Sequence, residues 1–396
     1  MLNFFEARQR VLAEGTPLES ELVELSRACG RVLARDLTAG EALPPFDYSA
    51  MDGYAVRADD VNQRSRTELP VVGECRAGDT APELSAGSAM RIFTGAPLPR
   101  GADAVVIQEN AERHGDVVHL NGGVRPYDNV RRAGDDLRAS AVALTSGTRL
   151  GAFQLGLCAA LDQGSVLVSR RPRVRLFATG SELRAPGSAK VPGKIPESNG
   201  VALEALASLA GAEVRLEDTV VDDLESTTQA FRRCLGSCDL LVTVGGVSVG
   251  DHDLVRPALE AAGATLGFWK VAIKPGKPLT FGRAGSTLVL ALPGNPVSAQ
   301  ITFALFGVPL LRALQGDANP LPAPTRVILE QPLTQKAGRL GLYRARLRGQ
   351  RAEVAKNQAS GSTFSLAHAD ALVCMPAELE RCEAGAELDA ILLKDI

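Results

Sequence analysis

The spacing of apolar residues changes along this chain, and each change predicts a different architecture. Over residues 1–45, Phe5, Val11, Leu12, Leu22, Leu25, Val32 and Leu33 are broken by Gly15, Pro17 and Gly30, which predicts a helical opening segment. From Pro44-Pro45 to about Arg138 the apolar residues gather instead in short runs between Gly and Pro, at 54–56, 70–72, 90–93, 104–107 and 117–120. Such runs read as strands, and their spacing predicts a small barrel or sandwich inserted after the helices. Residues 139–170 turn rich in Ala, Leu and Gly again, as a chain returning to its first domain would.

From residue 171 strand and helix patterns alternate. Strands are expected at 174–177, 213–216, 240–244 and 287–292, and helices at 200–211, 223–236, 253–263 and 296–315. The last helix opens Asn295-Pro296, a cap residue followed by proline at the first helical position. Alternation of this kind calls for a mostly parallel sheet covered on both faces. Beyond the proline-rich stretch 319–324, short strands recur at 326–329, 342–347, 371–374 and 388–391, which predicts a small C-terminal β-barrel domain. The fold class expected is multidomain α/β: a helical domain from 1–45 and 139–170, an inserted β-rich domain over 46–138, a three-layer α/β domain over 171–320 and the barrel over 325–396.

A chain of 396 residues, 45% hydrophobic, is long enough for several cores. Its 43 basic and 46 acidic residues leave a net charge of -3, so no broad positive field gathers nucleic acid or an anionic membrane, and any anion must be captured locally. Uninterrupted apolar runs fall short of the ~20 residues that cross a bilayer, and Met1 to Arg8 read as the start of an amphipathic helix, not a signal peptide. A soluble, cytoplasmic protein is expected. Seven scattered cysteines suit reduced thiols. Cys234 and Cys238 lie four apart on a predicted helix, with no His or second pair nearby to complete a metal site.

Ligands of open α/β sheets bind beyond the carboxyl ends of the strands. Here those loops are Thr179-Gly180-Ser181-Glu182-Leu183, then Gly245-Gly246-Val247-Ser248-Val249-Gly250-Asp251-His252-Asp253, then Pro293-Gly294-Asn295-Pro296. The second combines bare backbone N–H groups with a helix start, an arrangement that holds phosphate; the same glycines also suit a plain tight turn. Neither GxGxxG nor a P-loop is present. Lys270, Lys274 and Lys277 fall within eight residues around a Pro-Gly turn, a spacing that suits an oxyanion approached from several sides or a solvated turn. Acidic residues recur beside glycine at Asp52, Asp135-Asp136, Glu182, Asp222-Asp223 and Asp251/Asp253. Carboxylates near a phosphate would repel it without an intervening cation, a role that suits Mg²⁺. Taken singly, Asp222 or Asp223 could equally cap a helix.

One block, Pro44-Pro45-Phe46-Asp47-Tyr48-Ser49-Ala50-Met51-Asp52-Gly53-Tyr54-Ala55-Val56, resembles the signature of the molybdopterin molybdenumtransferases, the bacterial MoeA type and the E domain of gephyrin. Arg91-Ile92-Phe93-Thr94-Gly95-Ala96, Gly134-Asp135-Asp136, Thr179 to Leu183, Gly245 to Asp253, Lys270 to Pro278 and Leu292 to Ser298 follow in the family's order, so the resemblance covers essentially the whole chain. It implies a molybdopterin-binding α/β domain and a homodimer whose site is shared between subunits. It implies a molybdenum insertase: molybdate enters adenylated molybdopterin, the phosphoanhydride is cleaved with Mg²⁺ assisting, and AMP leaves. Carried over by position, Asp52, Asp136, Glu182, Asp222, Asp253, Lys270 and Lys274 are the catalytic set, and Glu182, Asp222 and Asp253 the metal ligands. Thr94, Gly245, Gly246, Ser248, Gly250, Lys277, Pro293, Pro296 and Ser362 are the substrate-binding set. Ser181 stands where the family carries Asp, one carboxylate fewer beside Glu182.

Two other functions remain open to the sequence. The α/β domain resembles the molybdopterin adenylyltransferases, which share the pterin-binding fold and are an expected partner; the long β insertion and the C-terminal domain argue against that activity here. A scaffold without catalysis is the third reading, against which Asp52, Glu182, Asp222, Asp253 and the lysines all weigh.

Overall fold

The computed structural model describes residues 1–63, 65–217, 223–246 and 254–396. The chain forms two compact units, one of Met1–Arg35, Ser146–Gly151 and Ser165–Ile396, the other of Asp36–Thr145 and Ala152–Gly164.

In the first unit a six-stranded sheet runs in the order Glu213–Leu216, Arg173–Ala178, Leu240–Val244, Thr287–Leu292, Thr280–Ala284, Thr265–Trp269. The first four strands are parallel and are the four expected from the pattern. The last two are antiparallel and extend the sheet at one edge. Every residue of Leu240–Val244 and Thr287–Leu292 is buried, as strands covered on both faces must be. Helices Asn199–Leu209, Leu224–Cys234, Val255–Ala261 and Pro296–Thr302 lie where the apolar periodicity placed them. Pro296–Thr302 continues through a π-helical turn, Phe303–Gly307, into Val308–Leu314. The run Pro296–Leu314 is long and apolar enough to cross a bilayer, yet most of it is buried inside the protein, where it forms the spine of the largest core.

The expectation of helix over residues 1–45 is corrected. Helix covers only Phe4–Ala13, whose Phe4, Ala7 and Val11 join the main core. Ser20–Glu24 is a strand paired antiparallel with Ser165–Ser169, and Leu25–Arg27 is one 3-10 turn. Gly15 and Pro17 end the helix, and the partner strand then satisfies backbone groups that a helix would have closed internally.

The same unit carries a closed five-stranded barrel. Leu340–Arg348, Arg351–Val354, Pro324–Leu329, Glu387–Leu392 and Ala371–Met375 follow one another, and the last pairs back to the first. Ile273–Lys274 adds to the barrel through a parallel pairing with Leu340 and Gly341. Closure removes free strand edges, which short strands would otherwise leave unpaired.

The second unit holds a six-stranded sheet ordered Ala104–Ile107, Gly53–Val56, Ala89–Ile92, Thr67–Cys75, Val117–Leu120, Ala111–His114. All five runs expected to be strands are strands. Helix Ala152–Ala160 also belongs to this unit; Cys158 is its one buried residue and Phe153 is 90% exposed.

Cys234 ends the helix Leu224–Cys234 and Cys238 lies beyond it, correcting the expectation of both on one helix. Cys238 Sγ donates to the Cys234 carbonyl at 3.3 Å, and burial pushes the Cys238 thiol up to about 12.

Candidate functional site

Parallel register brings three loops of the first unit to one edge of the sheet. Ala178 stands beside Val244 and Val244 beside Leu292, so the residues that follow, Thr179, Gly245 and Pro293, leave the sheet side by side. The Thr179 N–H donates to the Val244 carbonyl at 2.9 Å, and the Gly245 N–H donates to the Leu292 carbonyl at 3.1 Å. The Gly245 N–H is therefore engaged within the sheet edge and not bare, a correction to the sequence expectation. Its contribution is room. Gly245 and Gly246 adopt φ of 95° and 62°; a methyl group at Gly245 would stand 2.5 Å from the Thr179 carbonyl oxygen, and one at Gly246 2.6 Å from Val255 Cγ2. Gly294 lies in ordinary contact with them, a methyl group there falling 3.4 Å from the Gly245 α carbon. Only glycine fits at Gly245 and Gly246.

Asn199, the first residue of helix Asn199–Leu209 and 7% exposed, reaches into this junction. Its side-chain amide donates to the Gly294 carbonyl at 2.9 Å, while its Oδ1 is buried with no hydrogen-bond partner. The sequence reading gave Asn199 no role in the site and did not foresee this tether. Pro293 is buried and Pro296 half-buried where the loop turns into the helix.

Glu182 is exposed, and its carboxylate folds back over Gly180, where a methyl group would stand 2.6 Å from Oε2. Its carbonyl accepts from the Ile195 N–H at 2.8 Å. Asp222, Ser248, Gly250 and Asp253 lie outside the described residues. Among the described residues no group of three or more His, Cys, Asp or Glu could hold a metal ion.

The lysine segment is anchored from beneath. Val271, Ile273 and Leu279 are fully buried in the main core, the Val271 N–H donates to the Lys277 carbonyl at 2.9 Å, and the Lys270 N–H to the Leu279 carbonyl at 3.2 Å. Lys270 has φ 75°, and Lys274 and Lys277 are exposed. The Pro275-Gly276 turn rests on Thr302. Gly294 just precedes the helix that carries Thr302, so the glycine junction and the lysine turn share one rigid support, on the order of 10 Å along its axis.

Ser362 comes near the same helix. The Val297 N–H donates to the Ser360 carbonyl at 3.0 Å, which docks the loop 357–362 on the helix start. Arg344, 1% exposed on the barrel strand Leu340–Arg348, holds that loop, donating to the carbonyls of Asn357 at 3.3 Å, Ala359 at 3.1 Å and Ser362 at 3.4 Å, and to Gln358 Oε1 at 3.1 Å. Burial alone pulls this guanidinium below its ordinary value. An arginine inside the apolar run Leu340 to Ala345 was the signal available in sequence.

In the second unit Asp52 accepts from the Thr94 N–H and from its hydroxyl, both at 2.8 Å. The Thr94 N–H, then its hydroxyl, hold the Asp52 carboxyl below the usual carboxylate range. Gly53 packs against the Val106 carbonyl with no room for a side chain, which fixes the turn that presents Asp52. Asp136 is exposed on a separate turn, its N–H bonded to the Leu43 carbonyl at 3.0 Å.

Three family models cover the chain: the MoeA N-terminal region, domain I and II, over residues 2–161, a probable molybdopterin binding domain over 175–313, and the MoeA C-terminal region, domain IV, over 326–393. Molybdopterin molybdenumtransferase 2 of Mycobacterium tuberculosis is 37% identical over 395 residues, 97% of this chain and 98% of that protein. Molybdopterin molybdenumtransferase of Bacillus subtilis is 33% identical over 402 residues, 98% and 94% of the two chains. The crystal structure of the molybdopterin biosynthesis moeA protein from Pyrococcus horikoshii superposes with a TM-score of 0.87 at 30% identity, covering 99% of this chain and all of that one.

Proposed function

From the premise that this chain belongs to the molybdopterin molybdenumtransferases, transferases of molybdenum cofactor biosynthesis, we propose that it inserts molybdate into adenylated molybdopterin and releases AMP. The observation that carries this reading is the glycine-walled junction of Thr179, Gly245 and Gly294, mounted on the same helix as the anchored lysine turn. Backbone unobstructed by side chains lets a bulky phosphorylated ligand lie against the sheet edge. Exposed ammonium groups on a rigid turn attract its anionic parts and molybdate.

Cleaving a phosphoanhydride needs positioning and neutralisation of growing charge more than covalent help. In this reading Lys270 and Lys274 neutralise that charge, with Lys277 supporting them. Asp52 and Asp136, from the β-rich unit, and Thr94, which fixes Asp52, orient the ligand, as do Ser362, Pro293 and Pro296 through their loops. The attacking oxygen comes from molybdate or water. Mg²⁺ commonly takes one or two carboxylates together with substrate phosphates, and the exposed Glu182 carboxylate fits that pattern. Glu182 would hold the ion with Asp222 and Asp253, and the ion would offset the anhydride's negative charge. The four-part domain division expected from sequence belongs to this reading, as does a cytoplasmic homodimer that completes the site between copies. Phe153, 90% exposed on a helix with one buried residue, is an apolar surface that such a dimer would cover.

The test mixes purified protein, adenylated molybdopterin, Mg²⁺ and molybdate and follows AMP together with metal-loaded cofactor. Both are expected to rise together. A requirement for ATP, or AMP release without metal incorporation, would overturn the reading.

A further inference from the structure

We propose that Arg91 is the positioning residue for Asp52, fixing the turn that aims its carboxylate; this rests on the reading of Asp52 as a site residue. Arg91 lies on strand Ala89–Ile92, directly across from Tyr54. Its guanidinium covers the ring of Phe93 at 4.6 Å and that of Tyr54 at 5.4 Å. Nη1 donates to the Gly53 carbonyl at 2.8 Å, and Nη2 donates to Gln108 Oε1 at 3.0 Å.

Each of these contacts reaches a segment that bears on Asp52. Gly53 follows it in the chain. The Gln108 N–H donates to the Asp52 carbonyl at 2.9 Å. Phe93 precedes Thr94, whose N–H and hydroxyl hold the carboxylate. One side chain therefore joins the peptide after Asp52, the residue bonded to its carbonyl and the strand end that binds its oxygens. The Arg91 guanidinium is always charged. The Thr94 N–H and hydroxyl do most to hold Asp52 ionised, and the Arg91 charge adds a smaller pull in the same direction.

The chemistry is specific to arginine. A planar fork can stack on two rings while donating two bonds in fixed directions, whereas an ammonium keeps the charge without the plane. Arg91→Lys separates the two, leaving charge near Asp52 and removing the geometry.

The experiment is a double-mutant cycle on AMP release from adenylated molybdopterin with Mg²⁺ and molybdate, comparing the unmodified protein, Arg91→Lys, Asp52→Ala and the double variant. Arg91→Lys is expected to lower kcat/KM about tenfold, mostly through kcat, and to change it less than about twofold when Asp52 is already Ala, because residues acting through one another are not additive. Equal losses in both backgrounds overturn the role of Arg91 and leave Asp52 in the site. Full activity of Asp52→Ala alone overturns this proposal together with the site reading beneath it. Should Arg91→Lys fail to fold by circular dichroism, Gln108→Ala, at an exposed position, removes the second anchor of Arg91 and is judged by the same additivity.

Discussion

Gly276 packs directly against the hydroxyl of Thr302, with no room for a methyl group between them, and Ile273 Cδ1 would stand 3.0 Å from such a group on the other side. The backbone there has φ of 105°, a region that L side chains rarely adopt. Gly276→Ala should therefore destabilise the protein by roughly 1–3 kcal/mol, from strain and overlap together. Because Lys274 and Lys277 flank this turn, the KM for molybdate should rise as well. Gly285, with φ 58° and open space around it, is the control, and Gly285→Ala should cost about 1 kcal/mol without touching KM. Urea unfolding and initial rates check both, and equal effects at the two glycines would remove the steric argument.

The Asn199 amide is the tether of the Pro293-Gly294 loop. Asn199→Ala removes the donor to the carbonyl of Gly294, an exposed residue that water can reach, which should cost about 0.5–1.5 kcal/mol. Asn199→Asp is expected to be worse, since a carboxylate oxygen would then face the Gly294 carbonyl across the present 2.9 Å. Both should lower the rate of AMP release beyond what lost stability explains at temperatures where the protein is fully folded. A variant with unchanged turnover would mean that the loop holds its shape without Asn199.

These two positions show where sequence stopped being informative. Two of the four parallel strands, Leu240–Val244 and Thr287–Leu292, could be read because their unbroken apolar runs match strands buried on both faces, and Arg173–Ala178 and Glu213–Leu216 because short apolar runs there alternate with helical patterns. The two antiparallel strands Thr265–Trp269 and Thr280–Ala284 carry Gly267 and Gly282 and little alternation, so their pairing is set by the sheet they extend. Past Gly15 the apolar spacing looked helical, yet the partner strand Ser165–Ser169, about 145 residues distant in sequence, decided otherwise. At the site, the glycines and lysines were visible as motifs. The role of Asn199 was not, because what marks it is burial of a polar side chain against a distant carbonyl, which only tertiary structure creates, and Arg344 left only the hint of a charge within an apolar run.

Arg170 grips Asp239 with both arms of its guanidinium, at 2.7 and 2.8 Å, and the Arg173 N–H donates to the same carboxylate at 2.7 Å. Burial alone would raise the Asp239 carboxyl, but these donors outweigh it and hold it below the ordinary 3.8. The stability contributed by such a group is complete above the unfolded value and is lost as pH falls through the lower folded one. Asp239→Asn should therefore cost on the order of 2–4 kcal/mol between pH 5 and 8. The gap to the unmodified protein should narrow only below about pH 4. Denaturant titrations across that range decide it; a gap that closes near neutral pH would show that another group carries the dependence.

Lys274 offers a cleaner separation of binding from fold. Its backbone is fixed by pairing with Gly341 and its side chain is exposed, so Lys274→Ala changes little but the charge. Removing one charged donor to an oxyanion should raise the KM for molybdate roughly tenfold or more, with thermal stability nearly unchanged. The effect should shrink as ionic strength rises and the Debye length falls toward contact distance. Lys274→Arg retains the charge in a larger planar group and should recover part of the loss, not all of it, if a compact ammonium suits a tetrahedral anion better at this turn. Equal KM values for Lys274→Ala and the unmodified protein at low salt would place molybdate elsewhere and leave Lys270 as the lysine to examine.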